Sequence, residues 1–395
     1  MTIVRNIICT FLLIFGQPVA LASNDVQSLE VKSEEMETLS VSTTLNIKSN
    51  VLSEERKVLV HLPEGYKESN KAYPVLYLLD GNRHLPHAIL SSQILHQESL
   101  IPEMIIVAIT NNRGTRTRDL STNKVAFSKF IEDELFPVIQ SRYRTSAIKT
   151  LFGHSMAGYF ATNILADTSN MFNNYIAASP VLQINEAHIV ETFNQLQMPN
   201  ISERSIYFTL TDAVVEGKAA GDAMTSFVAN LTSSDPKGLN WSYDFIPNQV
   251  HMTTPYITLY EGLTFVFSDF QAPKIASLQD YEALGGMAGL NKHYALRSEK
   301  YSVNNVIPER TLRRIGFTIL DDGHSKEALI ILETNATKNP NSLRALNALG
   351  TAYQELQQNQ KAIEVYSKAL ALAKKLSSPA QKRFEREIKK ISGLL

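Results

Sequence analysis

The 395-residue chain has a single cysteine, Cys9. With no second thiol it forms no internal disulfide, so its core must hold the fold unaided. It has no charge of one sign in excess either: 38 Lys and Arg face 39 Asp and Glu, a formal net charge of −1. That balance excludes the basic field a nucleic-acid partner would need and the acidic tail a basic partner would need. No apolar run reaches the ~20 residues of a membrane-spanning helix. What remains is an ordinary globular balance, 44% hydrophobic and 19% charged, long enough for a large core and an appended module.

The first 22 residues have the pattern of an export signal. Arg5 supplies a positive charge, Ile7 to Phe15 is apolar, and Ala20-Leu21-Ala22 is a small-x-small site before Ser23. The pattern predicts a signal peptide over 1–22, cleaved after Ala22, a leader over 23–37, and a periplasmic or secreted protein. Cys9 falls within the removed segment, so the mature chain would carry no thiol and no membrane span.

From 38 to 270 strand-like and helix-like segments alternate. "TTLNIKSN" and "RKVLVHL" read as an antiparallel start. "YPVLYLLDG", "MIIVAIT", "KTLFG", "NNYIAASP", "SIYFTLTD" and "NWSYDFIP" follow as short, nearly unbroken apolar runs, as strands covered on both faces require. "NKVAFSKFIEDELFPVIQSRY" has apolar positions at helical period. The alternation predicts an α/β sandwich, a mostly parallel sheet with helices on both faces.

Residues 271–308 read as a helical connector and 309–395 as pure helix. Here the sequence repeats with a period of 34: Ile315 matches Leu349, Gly316 matches Gly350, Ile319 matches Tyr353, Ala328 matches Ala362 and Leu332 matches Tyr366, with Pro340 closing the first unit. That is the tetratricopeptide period, with small residues where two helices cross. Asn335 stands where a small residue is usual, and a helix over about 380–392 would cap the stack. Two units and a cap fall short of the ~three repeats that stand alone, so the module is expected to lean on its neighbours.

The chemistry centres on "TLFGHSMAGYFATNIL", Thr150 to Leu165. Ser155 is either the cap of a helix or a nucleophile on a strained strand-to-helix turn. The second needs small residues two before and two after the serine, and Gly153 and Ala157 meet this. A base and then its place in the chain decide further, because the order in such a fold is serine, acid, histidine. Of His188, His251, His293 and His324, only His251 follows the last strand and precedes the last helix of the α/β region. The acid should follow "SIYFTL", where Asp212 and Glu216 are both available; Asp222 falls in the next helix. Oxyanion donors would be the Met156 N–H and, after the third strand, the Asn82 N–H, with Gly81 letting the backbone turn. His84 and His87 sit at i, i+3 in a proline-containing loop. They lack a third ligand, so no metal and no cofactor is expected, and the pair is assigned to the substrate cleft.

"YPVLYLLDG", "TNNRGTRTRDLST", "GHSMAG", "YFTLTDAVVEG" and "PNQVHMTT" together resemble the putative-esterase family of α/β-hydrolases, which includes siderophore esterases, S-formylglutathione hydrolase and the mycolyltransferases. The resemblance covers about 38–270. It implies Ser155 as nucleophile, His251 as base, and the "DGN" loop with Met156 as oxyanion hole. Family members often carry a glycine at the end of the acid strand and then Glu-Gly. Here that glycine is a threonine and Glu216-Gly217 comes late, which favours Glu216 while Asp212 stays open. Arg116, Arg118 and Asp119 are expected to fix their loop by ion pairing. The implied activity is a serine carboxylic-ester hydrolase acting on a small-molecule ester, with repeats that bind a protein. The alternatives are an inert hydrolase-fold scaffold and an acyltransferase using the same triad.

Overall fold

The computed structural model describes residues 42–166, 171–185, 189–190, 204–236 and 238–393. The expected signal peptide, the leader and His188 lie outside the described residues. The strands are β1 (Thr43–Ser49), β2 (Glu54–His61), β3 (Tyr73–Leu78), β4 (Ile105–Ile109), β5 (Thr145–His154), β6 (Asn174–Ala178), β7 (Arg204–Leu210) and β8 (Leu239–Phe245). They form one sheet in the order β1-β2-β4-β3-β5-β6-β7-β8. β1 and β2 are the antiparallel start read from the sequence, β2 is antiparallel to β4, and the other pairings are parallel. The architecture is an α/β-hydrolase sheet followed by a helical region.

The unbroken apolar runs have a direct cause. On β3, Val75 and Tyr77 enter the core on one face, and Leu76 and Leu78 enter the core on the other. Both parities are buried, so both must be apolar. Helices α1 (Gly81–Gln97) and α7 (Thr254–Val266) cover one face. The segment 124–142, α4 (Met156–Ala166) and α6 (Lys218–Ser234) cover the other. The segment 124–142, expected as one helix, is α2 (Lys124–Lys129), a wider π-type stretch over Phe130–Leu135, and α3 (Phe136–Arg142). Pro137, near the start of α3, has no N–H to give the carbonyl of Asp133, and the helix widens before it.

The "RTRDLST" loop is pinned by charge as expected, but around an arginine the sequence reading passed over. Arg56 of β2 is fully buried and donates to Asp119 at 2.6 Å and to Glu54 at 2.8 Å. Its guanidinium lies over the rings of Phe127 and Phe130. Arg118 completes the cluster on Glu54 and Asp119. Removing Arg56 or Asp119 would leave the other's buried charge without its main partner, at a cost of ~3–5 kcal/mol.

The helical region holds a core of its own. It runs through α8 (Leu278–Ala283), α9 (Gly286–Tyr301), α10 (Glu309–Asp321), α11 (Ser325–Lys338), α12 (Leu343–Glu355), α13 (Asn359–Lys375) and α14 (Gln381–Ser392). A Cβ on Gly316 would meet Leu332 at 2.5 Å, and one on Gly350 would meet Tyr366 at 2.5 Å. These are the residues that the 34-residue period pairs, so the glycines mark where α10 crosses α11 and α12 crosses α13. Asn335 is fully buried and bonded to Asn339 at 2.9 Å. The region leans on the sheet's helices: Tyr301 is buried beside Phe267 and Phe270 and donates to Asp269 at 2.6 Å. Arg310 pairs with Glu98 at 2.7 Å.

Two glycine-to-alanine changes should therefore differ in sign. Gly350→Ala forces a Cβ into Tyr366 and should cost ~1–3 kcal/mol. Gly221→Ala, inside α6 with an ordinary 3.5 Å neighbour, should add up to ~1 kcal/mol. Urea unfolding of both variants checks this.

Candidate active site

Every parallel strand ends at one edge of the sheet, and the loops there enclose a cavity of about 380 Å³, a size that suits a small molecule. Ser155, His154, His251, Met252, Asp80, Asn82, Arg83, Asn111 and Arg116 line it. Ser155 sits between β5 and α4 with φ at 61°, a left-handed conformation that costs a non-glycine residue ~1–3 kcal/mol. The surroundings enforce it. Ser155 N–H donates to the Ala178 carbonyl at 2.9 Å, and the Ser155 carbonyl accepts from Tyr159 N–H at 2.9 Å. A Cβ on Gly153 would lie 2.2 Å from the Ala157 carbonyl, so the elbow closes only with no side chain there.

His251 lies in the loop before α7, and its Nδ1 is 2.7 Å from Oε2 of Glu216. The carboxylate accepts, so Nδ1 carries the proton and Nε2 is the bare nitrogen. The Glu216 side chain is 5% exposed, and its other oxygen, Oε1, is buried with no hydrogen-bond partner among the described residues. The late arrival of Glu216 is absorbed by a single helical turn, α5 (Ala213–Glu216), started by Asp212. A helix advances only ~1.5 Å per residue, so the extra residues scarcely displace the carboxylate. Asp212 does not meet His251. It accepts the N–H of Asn248 at 3.1 Å and so holds the start of the same loop.

Met156 is the first residue of α4, and Asn82 is the second residue of α1. N–H groups there have no partner within the helix, and both helix N-termini carry partial positive charge. The turn into α1 is made by Asp80, left-handed at φ 51°, and not by Gly81. Gly81 is needed for a different reason: a Cβ there would sit 2.6 Å from the main chain of Ala108 on β4. Asp80 is held by Arg116, with Nε and Nη2 each 2.7 Å from a carboxylate oxygen, and by the Asn111 amide. Burial pushes the Asp80 carboxyl up, but Arg116 and Asn111 outweigh it and hold it below the usual range.

His84 and His87 differ from expectation. They lie on α1, not in a loop, and are not among the residues lining the cavity. Pro86, one turn into the helix, gives up a single bond, to the Asn82 carbonyl, and α1 continues. His84 Nδ1 and His87 Nε2 are 2.9 Å apart, and the rings pack on Phe152, His154 and Tyr256. The side chains that the same helix does present to the cavity are Asn82 and Arg83. Among the described residues no group of three or more His, Cys, Asp or Glu has the arrangement of a metal site. No helix there is long and apolar enough to cross a membrane.

Burial, first of all, lowers three of these histidines below the ordinary 6.5: His84 to about 3, His87 to about 4 and His154 to about 4. For His84 the neighbouring His87, His154 and Arg83 add to the effect while Asp80 opposes it. The unfolded chain takes up these protons as the pH falls through 6.5, whereas the folded chain does so only near 3 to 4. Stability is therefore complete above pH 6.5 and falls with pH down to about 4. Urea midpoints measured across that window should fall steadily. A flat profile would contradict the burial of neutral imidazoles.

The site can be set beside known proteins. The family model described as "Putative esterase" matches residues 49–226. "Uncharacterized protein YjcH" of Bacillus subtilis (strain 168) is 29% identical over 168 residues, 40% of this chain and 68% of that protein. "Ferri-bacillibactin esterase BesA" of the same strain is 36% identical over 66 residues, 16% of this chain and 23% of that protein. Among solved structures, an IroE-like serine hydrolase from Shewanella oneidensis is 25% identical, with 75% of this chain and 99% of that chain covered at a TM-score of 0.57. These matches set residues 49–226 beside the putative-esterase family and its hydrolases as what this part of the chain is similar to.

Proposed function

We propose that the chain is a serine carboxylic-ester hydrolase. Ser155 is the nucleophile, His251 the base, Glu216 the acid that orients it, and the Met156 and Asn82 N–H groups the oxyanion hole. The observation that carries this reading is the His251–Glu216 bond of 2.7 Å beside a serine held at φ 61°. In the first half-reaction His251 Nε2 takes the Ser155 proton as Oγ adds to the ester carbonyl. The oxyanion so formed meets two N–H donors, each worth ~3 kcal/mol in such a site. The tetrahedral adduct collapses, the ester C–O bond breaks, and His251 returns the proton to the departing alcohol. Water then repeats the cycle on the acyl-enzyme, with the same proton route, and frees the acid.

The cavity sets the class of ester. Asp80 is already paired with Arg116, which leaves Arg83, whose Nη1 lies 3.5 Å from the Met252 sulfur, as a cation facing the substrate. Met252, itself exposed, supplies an apolar wall. This suits an ester with an anionic or catecholate-like group and an apolar body, in keeping with the ferri-bacillibactin in the name of BesA. The reading includes export through residues 1–22 and a protein partner for the tetratricopeptide-like repeats. Arg313, Arg344 and Arg383 line a groove of about 370 Å³ floored by Phe317, Leu343 and Phe384, which suits an acidic segment.

Ser155→Ala should lower turnover of a p-nitrophenyl ester by ~10⁴-fold or more. Glu216→Gln should cost a similar factor through the wrong imidazole tautomer, and Asp212→Asn far less. Turnover that survives Ser155→Ala, or a larger loss from Asp212→Asn than from Glu216→Gln, would contradict the assignment.

A further inference from the structure

His154, the residue before the nucleophile, is 2% exposed and reaches across to the base. Its Nε2 lies 2.8 Å from the main-chain oxygen of His251. A carbonyl only accepts, so the neutral ring of His154 must carry its proton on Nε2. The same carbonyl accepts from Thr254 Oγ1 at 3.1 Å. The His154 ring lies against the His251 ring, with centroids 4.6 Å apart, and His84 meets its other side edge-on at 5.9 Å. The main-chain oxygen of His154 in turn faces Arg116 Nη2 at 3.4 Å, the guanidinium that clamps Asp80.

One residue thus touches all three parts of the site. Its main chain leads into Ser155, its carbonyl meets the clamp on Asp80, from which α1 and Asn82 start, and its side chain holds the main chain of His251. Glu216 fixes the far end of the His251 side chain, but a ring is aimed only if its backbone is fixed too. The loop that carries His251 has exposed neighbours in Val250 and Met252, and little else in it is buried. Two hydrogen bonds to one carbonyl set where the ring begins.

We propose that His154 is a positioning residue, whose Nε2–H anchors the main chain of the base to the strand that carries the nucleophile. The proposal rests on the assignment of Ser155 and His251 above. A neutral His154 suits the role, since a second charge packed on His251 would oppose the imidazolium that forms in each half-reaction. Misplacing a reacting group by ~1 Å costs ~100-fold, and loss of a supporting hydrogen bond ~10–100-fold. Neither penalty requires any change in substrate binding.

The test compares His154→Gln, which keeps an N–H donor, with His154→Met, which has similar length and volume but none. Both are read with a p-nitrophenyl ester, with Ser155→Ala alongside and thermal unfolding as a check on the fold. His154→Met should lower kcat ~10–100-fold with KM within ~3-fold of the parent, and His154→Gln should recover most of the loss. His154→Phe, which keeps ring packing without the donor, should behave like His154→Met. Equal kcat in the Gln and Met variants, or a loss that appears in KM alone, would overturn the proposal while an inactive Ser155→Ala left the nucleophile assignment standing. Full turnover in Ser155→Ala would instead overturn the triad itself.

Discussion

A serine does not hold a φ of 61° unaided. That conformation costs ~1–3 kcal/mol and persists only where the surroundings over-determine it. Much of the α/β part can be understood as that over-determination. The Ala178 carbonyl at the end of β6 takes the Ser155 N–H, and the first turn of α4 takes its carbonyl. Gly153 and Ala157 touch main chain to main chain, so no larger residue fits at Gly153. The sheet behind them is apolar on both faces and does not yield. The result is a hydroxyl presented at the start of a helix, where N–H groups and partial positive charge are already in place.

Around that fixed point, charge does the local positioning. Arg116 and Asn111 hold Asp80 in its own left-handed turn, and α1 starts from there with Asn82 at the cavity wall. Arg56, Asp119, Glu54 and Arg118 tie the neighbouring loop to β2. Asp212 and Glu216 meet the loop before α7 at two points, Asn248 and His251. Most of these are buried or half-buried bonds between groups more than 30 residues apart in sequence. They set the geometry of the cavity more than they add to stability.

The strands, their antiparallel start and the two-sided core were legible because burial of both faces writes itself into sequence as unbroken apolar runs. The places of Ser155 at a left-handed turn after β5 and of His251 in the loop before α7 were legible, because small neighbours and chain order are written in the sequence. Between Asp212 and Glu216 the sequence favours Glu216 but leaves Asp212 open, since the choice turns on the pitch of one helical turn. His84 and His87 were misplaced because Pro86 reads as a loop signal, although one proline near a helix start costs a single hydrogen bond. The turn expected at Gly81 belongs to Asp80 instead, and Gly81 makes room for β4. Arg56 offered no signal, because the long-range partners that bury it are invisible in a strand that opens with the four charges Glu54-Glu55-Arg56-Lys57. In the helical region the period paired Gly316 with Gly350 and Leu332 with Tyr366, the residues that do meet at the two helix crossings.

The central claim is that Ser155, His251 and Glu216 act as one unit. A double-mutant cycle on ester turnover tests this most directly, with Ser155→Ala, Glu216→Gln and the two combined. Groups that work only together are grossly non-additive. The account predicts that the double variant is no slower than Ser155→Ala alone, within about twofold. Losses that multiply would contradict it, because they would mean that the carboxylate serves some step in which the serine has no part.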